Sequence, residues 1–519
     1  DTQLYAFGRP FLSDLGYPQS WAHVGAWEGN WATHNSLWSV VDEFEPLELP
    51  FDTPWHFLKE IAGRGRLVRT LRAEGIQIVE VEAQRWVFDA KQLRWVDPGV
   101  RYRRLLALVE TAEEGIALVD LSRIEGGDEH WRLCRGLEGR FKQQGVEPAS
   151  HPGTLAGVDV ERGQEPTHGD YAGLAWMNEV TQIDAGGAPG QWTSLHDETA
   201  RLDLHQLHVS PGTTLRTARA TAVMDAPDRS RYDYQALAWQ RSDPQDTTCV
   251  DLVFEPHMGQ PTLVEAGKIE ASAKGTDKAA ASGVHLVTRS GRDLSIYWSP
   301  SAAPDAETQY NDGTRLQGAL AVIEKDHATT VGCSGITIGN QQPRGPQSVQ
   351  IESSRQTGTI QALDRQNCTV DVIGLSDITA GDRVRVNPAG RAHNYKVTQV
   401  EALEDNGTRL TLDMASIHGR ARVAAIDAAR IDLDFHLITR TATLLHTRLQ
   451  RESDGNWRPI THAFNHDAYT TTLDVGGAPG LDGALPDSQW LSIGDWVIAV
   501  DYVIGDPIAW EPTHTHTLR

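Results

Sequence analysis

Along most of the chain, apolar and polar residues alternate with a period of two. The pattern is clean at 77–82 (QIVEVE), 105–110 (LLALVE), 116–121 (IALVDL), 202–209 (LDLHQLHV), 250–255 (VDLVFE) and 294–298 (LSIYW). Alternation puts successive side chains on opposite faces of an extended chain, so each segment predicts a strand. Gly, Pro, Asn and Asp punctuate the segments, which predicts short connections and antiparallel pairing. Stretches with a 3.6 period are rare; 54–62 (PWHFLKEIA) and 136–144 (GLEGRFKQQ) suggest one short helix each. The pattern therefore predicts an all-β protein whose main body is a large antiparallel β-sandwich, with an additional C-terminal β-rich module.

Two stretches break the alternation. Residues 267–283 (GKIEASAKGTDKAAASG) are small and polar and read as an exposed loop, and 339–347 (GNQQPRGPQ) reads as a second interruption. Beyond it, compact strand signals such as 382–386 (DRVRV) and 408–412 (TRLTL) suggest a small barrel or inserted module. The expected division is a sandwich over 1–330, a barrel-like module over 331–430 and a β-rich segment over 431–519.

Composition narrows the function classes. Over 519 residues the chain carries 47 Lys+Arg against 70 Asp+Glu, a formal charge of −23. That balance argues against a general nucleic-acid binder. No apolar run approaches the roughly 18 residues that a membrane span needs. The four cysteines show no CxxC spacing. Trp is abundant, 16 against 11 Tyr and 10 Phe; indoles suit sugar faces and also fill sandwich cores.

Candidate chemistry concentrates in residues 1–45. Residues 4–7 and 10–12 read as two strands joined at Gly8-Arg9-Pro10. Asp14 follows them; its position suits an Asx turn as well as a ligand. His34-Asn35 opens a further apolar strand over 36–41. Tyr17, His23, Trp21, Trp27 and Trp31 lie between. Elsewhere, Arg64, Arg66, Arg69 and Arg72 form a compact basic cluster, either a solvated strand face or a local site for an anionic glycan. His205 and His208 are three apart, which on a regular strand puts them on opposite faces. His514 and His516 share a parity but have no acidic residue beside them, and read as a polar tail.

In order, Asp1-Thr2-Gln3, the run Ala6-Phe7-Gly8-Arg9-Pro10-Phe11-Leu12, Asp14-Leu15-Gly16-Tyr17 and His34-Asn35-Ser36-Leu37 resemble four ordered pieces of one family. That family is the heparinase II/III-like polysaccharide lyases, in their C-terminal β-sandwich part. The pieces correspond to the tail of an H-x-H-x-D strand, a GRPL turn, D-x-G-Y and H-N-[ST]-[LV]. Looser likeness continues at Tyr102-Arg103-Arg104, Val119-Asp120 and Phe254-Glu255-Pro256.

The resemblance implies a β-supersandwich that joins an N-terminal (α/α) toroid, with an acidic polysaccharide in the cleft between them. The toroid is missing before Asp1, which reads as a processed or cut end. It implies a structural Zn²⁺ with Asp14 and His34 as ligands, the third ligand lying upstream of Asp1. It implies β-elimination at a uronic acid of glycosaminoglycan, alginate or ulvan type, in which a base removes the C5 proton and the C4–O bond breaks. Tyr17 is then the candidate acid/base; His23, Trp27, Trp31 and Asn35 are candidate substrate contacts. Export to the periplasm or outside the cell follows from the habit of the family. A non-catalytic carbohydrate-binding or structural secreted sandwich is the alternative.

Overall fold

A computed structural model describes residues 2–13, 30–41, 61–89, 94–164, 169–183, 189–220, 234–271, 280–300, 306–325, 327–339, 347–351, 355–386, 393–427, 430–435, 437, 444–465, 470–476 and 490–518. Among them the protein is all-β, with no α-helix and only single 3₁₀ turns. The expected helix at 136–144 is a correction: Gly139–Gln143 is a strand paired with Gly190–Ser194. Its burial alternates strictly, and Phe141 meets Trp192 at a centroid distance of 4.6 Å. Cross-strand aromatic packing outweighs the weak local helical pattern. Of 54–62, the other expected helix, 54–60 lie outside the described residues, and 61 and 62 begin the strand Ile61–Ala73.

Three large sheets form the sandwich. The nine-stranded central sheet has Thr248–Met258 and Ile116–Glu125 in its middle and Ile61–Ala73 at one edge. Both its faces are covered. Val119, Leu121 and Val253 pack against Val284, Leu286 and Ile296 of an eight-stranded outer sheet. Leu118, Leu252 and Phe254 pack the other way, against Leu215, Leu237 and Trp239 of a six-stranded sheet. Thr248–Met258 is consequently buried at every residue but Met258. Each large apolar side chain buried this way contributes about 1.5–3 kcal/mol. Trp131, Trp192, Trp239 and Trp298 are among the largest fully buried side chains, so part of the Trp excess serves the core.

The expected exposed loop at 267–283 shortens. Leu263–Glu270 and Ser282–Thr288 pair as strands, with Gly267 opposite His285. His205 and His208 are also corrected. A bulge between Gln206 and His208 sets His205 opposite Val253 and His208 opposite Asp251, so both histidines lie on the same face.

Two closed six-stranded barrels follow. The first uses Gln356–Asp364, Thr369–Ile373, Arg383–Val386, His393–Ala402 and Gly407–Leu412, and is closed by Pro507–Trp510. The second, from Ile417–Asp427 to Trp496–Val500, is inserted before that closing strand. Each has its own apolar core, around Val384, Tyr395 and Leu410 in the first and Val423, Leu449 and Leu473 in the second. The chain then returns to the sandwich, where Thr513–Thr517 pairs with His327–Ile338. Both expected boundaries thus fall within continuous structure. His327–Ile338 runs through position 330 in one sheet, and Arg430–Leu433 pairs within the second barrel.

Candidate active-site wall

The N-terminal segment begins with a hairpin, Leu4–Ala6 paired with Arg9–Leu12. Phe7 and Gly8 turn it with positive φ of 50° and 73°. Phe11 and Leu12 are fully buried and anchor the hairpin in the sandwich core. The chain is described again at Asn30, whose side-chain oxygen caps the 3₁₀ turn Trp31–Thr33 by accepting from the Ala32 N–H at 3.0 Å. His34 ends that turn in extended conformation, its N–H donating to the Trp31 carbonyl at 3.2 Å. The ring is half-buried. Leu37–Val40 then pairs with Glu129–Arg135 at the edge of the six-stranded sheet.

Asn35 fastens these pieces together. It is fully buried. Its Nδ2 donates to the carbonyls of Thr2, at 2.8 Å, and Ser13, at 3.2 Å. Its Oδ1 accepts from the Arg135 N–H at 2.6 Å. Ser13 is held twice more, through Oγ to the Gly136 carbonyl at 3.0 Å and through its own carbonyl to Arg135 Nη2 at 3.2 Å. The flanks of the two expected metal ligands, Ser13 before Asp14 and Asn35 after His34, are therefore hydrogen-bonded to each other.

Beneath them lies a buried charge hub. Asp120 accepts from Arg104 Nε at 2.8 Å and Nη2 at 2.6 Å, from Arg132 Nη2 at 2.6 Å and from Ser122 Oγ at 2.8 Å. Burial alone would push this carboxyl up, but the two guanidiniums outweigh it and hold it well below the usual carboxylate range. Each arginine also reaches upward: Arg104 Nη1 donates to the Asn35 carbonyl at 3.0 Å and Arg132 Nη1 to the Ser36 carbonyl at 3.3 Å. The turn carrying His34 thus rests on two cations sharing one carboxylate.

Trp31 stacks on Trp38 at 5.2 Å and 5°, and its Nε1 donates to the Asp170 carbonyl at 2.8 Å. These two contacts fix the Trp31 indole against the sandwich. Asn35, expected at the substrate, has its carboxamide enclosed by the chain and acts as a positioning residue for the turn. Asp14, Tyr17, His23 and Trp27 lie outside the described residues. Among the described residues no group of three His, Cys, Asp or Glu side chains is placed to hold a metal.

Sequence reasoning named Arg104 and Asp120 only as loose motif likeness and passed over Arg132 and Arg135. Arg132 and Arg135 are three positions apart in the strand Glu129–Arg135, so on a regular strand they point to opposite faces, each beside apolar neighbours. Only the stacking of two sheets brings Arg132 onto Asp120. A second polar cluster, of which the sequence offered only Glu255 as loose motif likeness, lies on the outer-sheet side of the central sheet. There His257 Nε2 is 3.2 Å from Asp203 Oδ2, and Glu255 accepts from the Leu263 N–H at 2.8 Å.

No family model matches the chain, and no curated protein matches it. Solved structures do. The heparan sulfate lyase of Pedobacter heparinus aligns at 12% identity and a TM-score of 0.31, over 56% of this chain and 34% of its own. A heparinase III structure aligns at 13% and 0.30, over 55% and 33%; a heparinase III gene product aligns at 9% and 0.32, over 57% and 35%. The chain spans about a third of the length of these heparinases.

Proposed function

We propose that this chain is the β-sandwich part of a lyase that cleaves uronic-acid-containing acidic polysaccharide by β-elimination. The observation that carries the reading is the bond from Asn35 Nδ2 to the Ser13 carbonyl, 3.2 Å across 22 positions. It draws the ends of the GRPL and H-N-S-L pieces together, as a shared ligand wall requires. A toroid supplied from outside residues 1–519 completes the cleft, and the protein meets its polymer in the periplasm or outside the cell.

In this reading a base takes the uronate C5 proton and the C4–O bond breaks, leaving a 4,5-unsaturated sugar. Charge building on the carboxylate must be met by fixed donors. Tyr17 is the proposed proton-transfer group on the sandwich side, His23 a hydrogen-bond donor, and Trp27 and Trp31 the apolar edge against the sugars. Asn35 acts indirectly by fixing the turn. We also propose that Zn²⁺ binds at Asp14 and His34. An imidazole and a carboxylate suit zinc chemically, and the described residues supply the imidazole alone. The ion would pin the wall; no proton transfer runs through it.

Mass spectrometry of oligosaccharide products tests the reaction class. Elimination leaves a non-reducing-end sugar lighter by one water than the hydrolysis product. Hydrolysis products from the complete protein would refute the proposal.

A further inference from the structure

The edge strand Ile61–Ala73 of the central sheet faces the outer wall of the first barrel, and a cavity of about 470 Å³ lies between them. That volume suits a small-molecule or oligosaccharide segment. On the barrel side, Arg383 stands directly opposite Lys396, and Arg385 opposite Asn394. Val384, Tyr395 and Val397, at the alternate positions, point into the barrel core, so these four share the outward face. On the sandwich side the cavity is lined by Arg69 and Arg72.

The charges do not cancel. Glu511 takes Arg69 at 3.2 Å and Arg385 at 4.0 Å. Asp382 accepts from the Thr379 N–H and hydroxyl, at 2.8 and 3.0 Å. No ion pair among the described residues reaches Arg72, Arg383 or Lys396. Two like charges facing across a strand pair are destabilising unless something between them compensates. The Asn394 Nδ2 is buried in the cavity wall without a hydrogen-bond partner. Three unmatched cations and one idle donor converge on one groove in a chain of charge −23.

We propose that this groove binds a stretch of polyanionic glycan, with Arg72, Arg383 and Lys396 meeting its carboxylates or sulfates and Asn394 donating to an oxygen. It would be a second contact for the polymer, away from the His34 wall. The anion's identity as a glycan rests on the lyase reading. A nucleic acid fits less well, because Trp510, the aromatic residue in the lining, is buried in the barrel core and leaves bases nothing to stack on.

The test is direct binding of fluorescent heparan sulfate, alginate and dextran sulfate oligosaccharides, and of oligodeoxythymidylate, to the full chain. Arg383→Ser/Lys396→Ser should weaken glycan binding about tenfold or more, since charge-assisted contacts are lost. It should leave the melting temperature unchanged or raised, because an opposed like-charge pair is removed. Arg289→Ser/Arg315→Ser makes the same change in net charge elsewhere and should leave binding within about twofold of wild type, as distant surface charges are screened. If dextran sulfate alone shows the groove-dependent loss, the groove stands and the uronate reading fails. Equal loss in both double variants, no glycan binding by the wild type, or equally tight oligodeoxythymidylate binding overturns the groove and leaves the lyase reading standing.

Discussion

Asn35 Nδ2 donates to the Ser13 carbonyl at 3.2 Å, and the same carboxamide accepts from the Arg135 N–H at 2.6 Å. One buried side chain thereby ties the N-terminal hairpin, the His34 turn and the six-stranded sheet. Asn35→Ala removes three buried hydrogen bonds at once, those to the Thr2 carbonyl, the Ser13 carbonyl and the Arg135 N–H, although the Ser13 carbonyl keeps its bond from Arg135 Nη2. The expected loss is about 2–4 kcal/mol of stability, given about 1–3 kcal/mol for a buried polar group left unpaired. Chemical denaturation measures it; a loss under about 0.5 kcal/mol, the range of ordinary surface changes, would contradict the role.

Asp120 is the counter-ion of two buried arginines. Asp120→Asn leaves Arg104 and Arg132 facing each other with one neutral acceptor, at an expected cost of about 3–5 kcal/mol. The sign of its pH effect follows from a depressed folded-state carboxyl. Its stabilisation is complete at neutral pH and is lost as pH falls below the ordinary value of 3.8. Equilibrium unfolding from pH 5 downward should be steeper in wild type than in the variant.

His130 supplies a separate acid-sensitive step. Burial pushes its imidazole down from 6.5 to about 4. It bridges Thr248 Oγ1 at 2.7 Å and the Gly126 carbonyl at 2.9 Å. The unfolded chain takes up a proton that the folded chain refuses. Stability therefore falls as pH drops from about 6.5 to about 4, by up to roughly 3 kcal/mol. His130→Gln should flatten this part of the profile and leave the lower-pH limb of Asp120 in place.

Gly127 sits at φ +89°, where a Cβ would meet Ser39 Oγ at 2.1 Å and the Val40 carbonyl at 2.7 Å. Gly127→Ala must displace the strand that continues from His34. A loss of about 1–3 kcal/mol is expected from the strained backbone alone, read as a lower melting temperature.

Zinc content checks the metal proposal. His34→Ala should lower zinc per chain in purified complete protein, measured by inductively coupled plasma mass spectrometry. Unchanged occupancy would remove His34 from the site.

The strands were legible because alternation is a local property. The 77–82, 105–110 and 116–121 segments all lie in strands of the central sheet. The hairpin around Gly8 was legible for the same reason. Features set by distant partners were not. The strand at 139–143 depends on Trp192, and the parity of His205 and His208 depends on a bulge. Closure of the first barrel by Pro507–Trp510 joins residues separated by the whole second barrel. In the candidate wall, His34-Asn35 stood out as a motif. The Asp120 hub beneath it did not, because its arginines come from two different sheets.

The account turns on whether the wall around His34 serves an eliminating enzyme. Ultraviolet absorbance of the conjugated uronate product, followed with the complete encoded protein on heparan sulfate, alginate and ulvan, tests this most directly. A rise with at least one polymer, lost in Tyr17→Phe and absent with residues 1–519 alone, is the predicted result. No rise with any uronate polymer, or full activity from residues 1–519 by themselves, would contradict it.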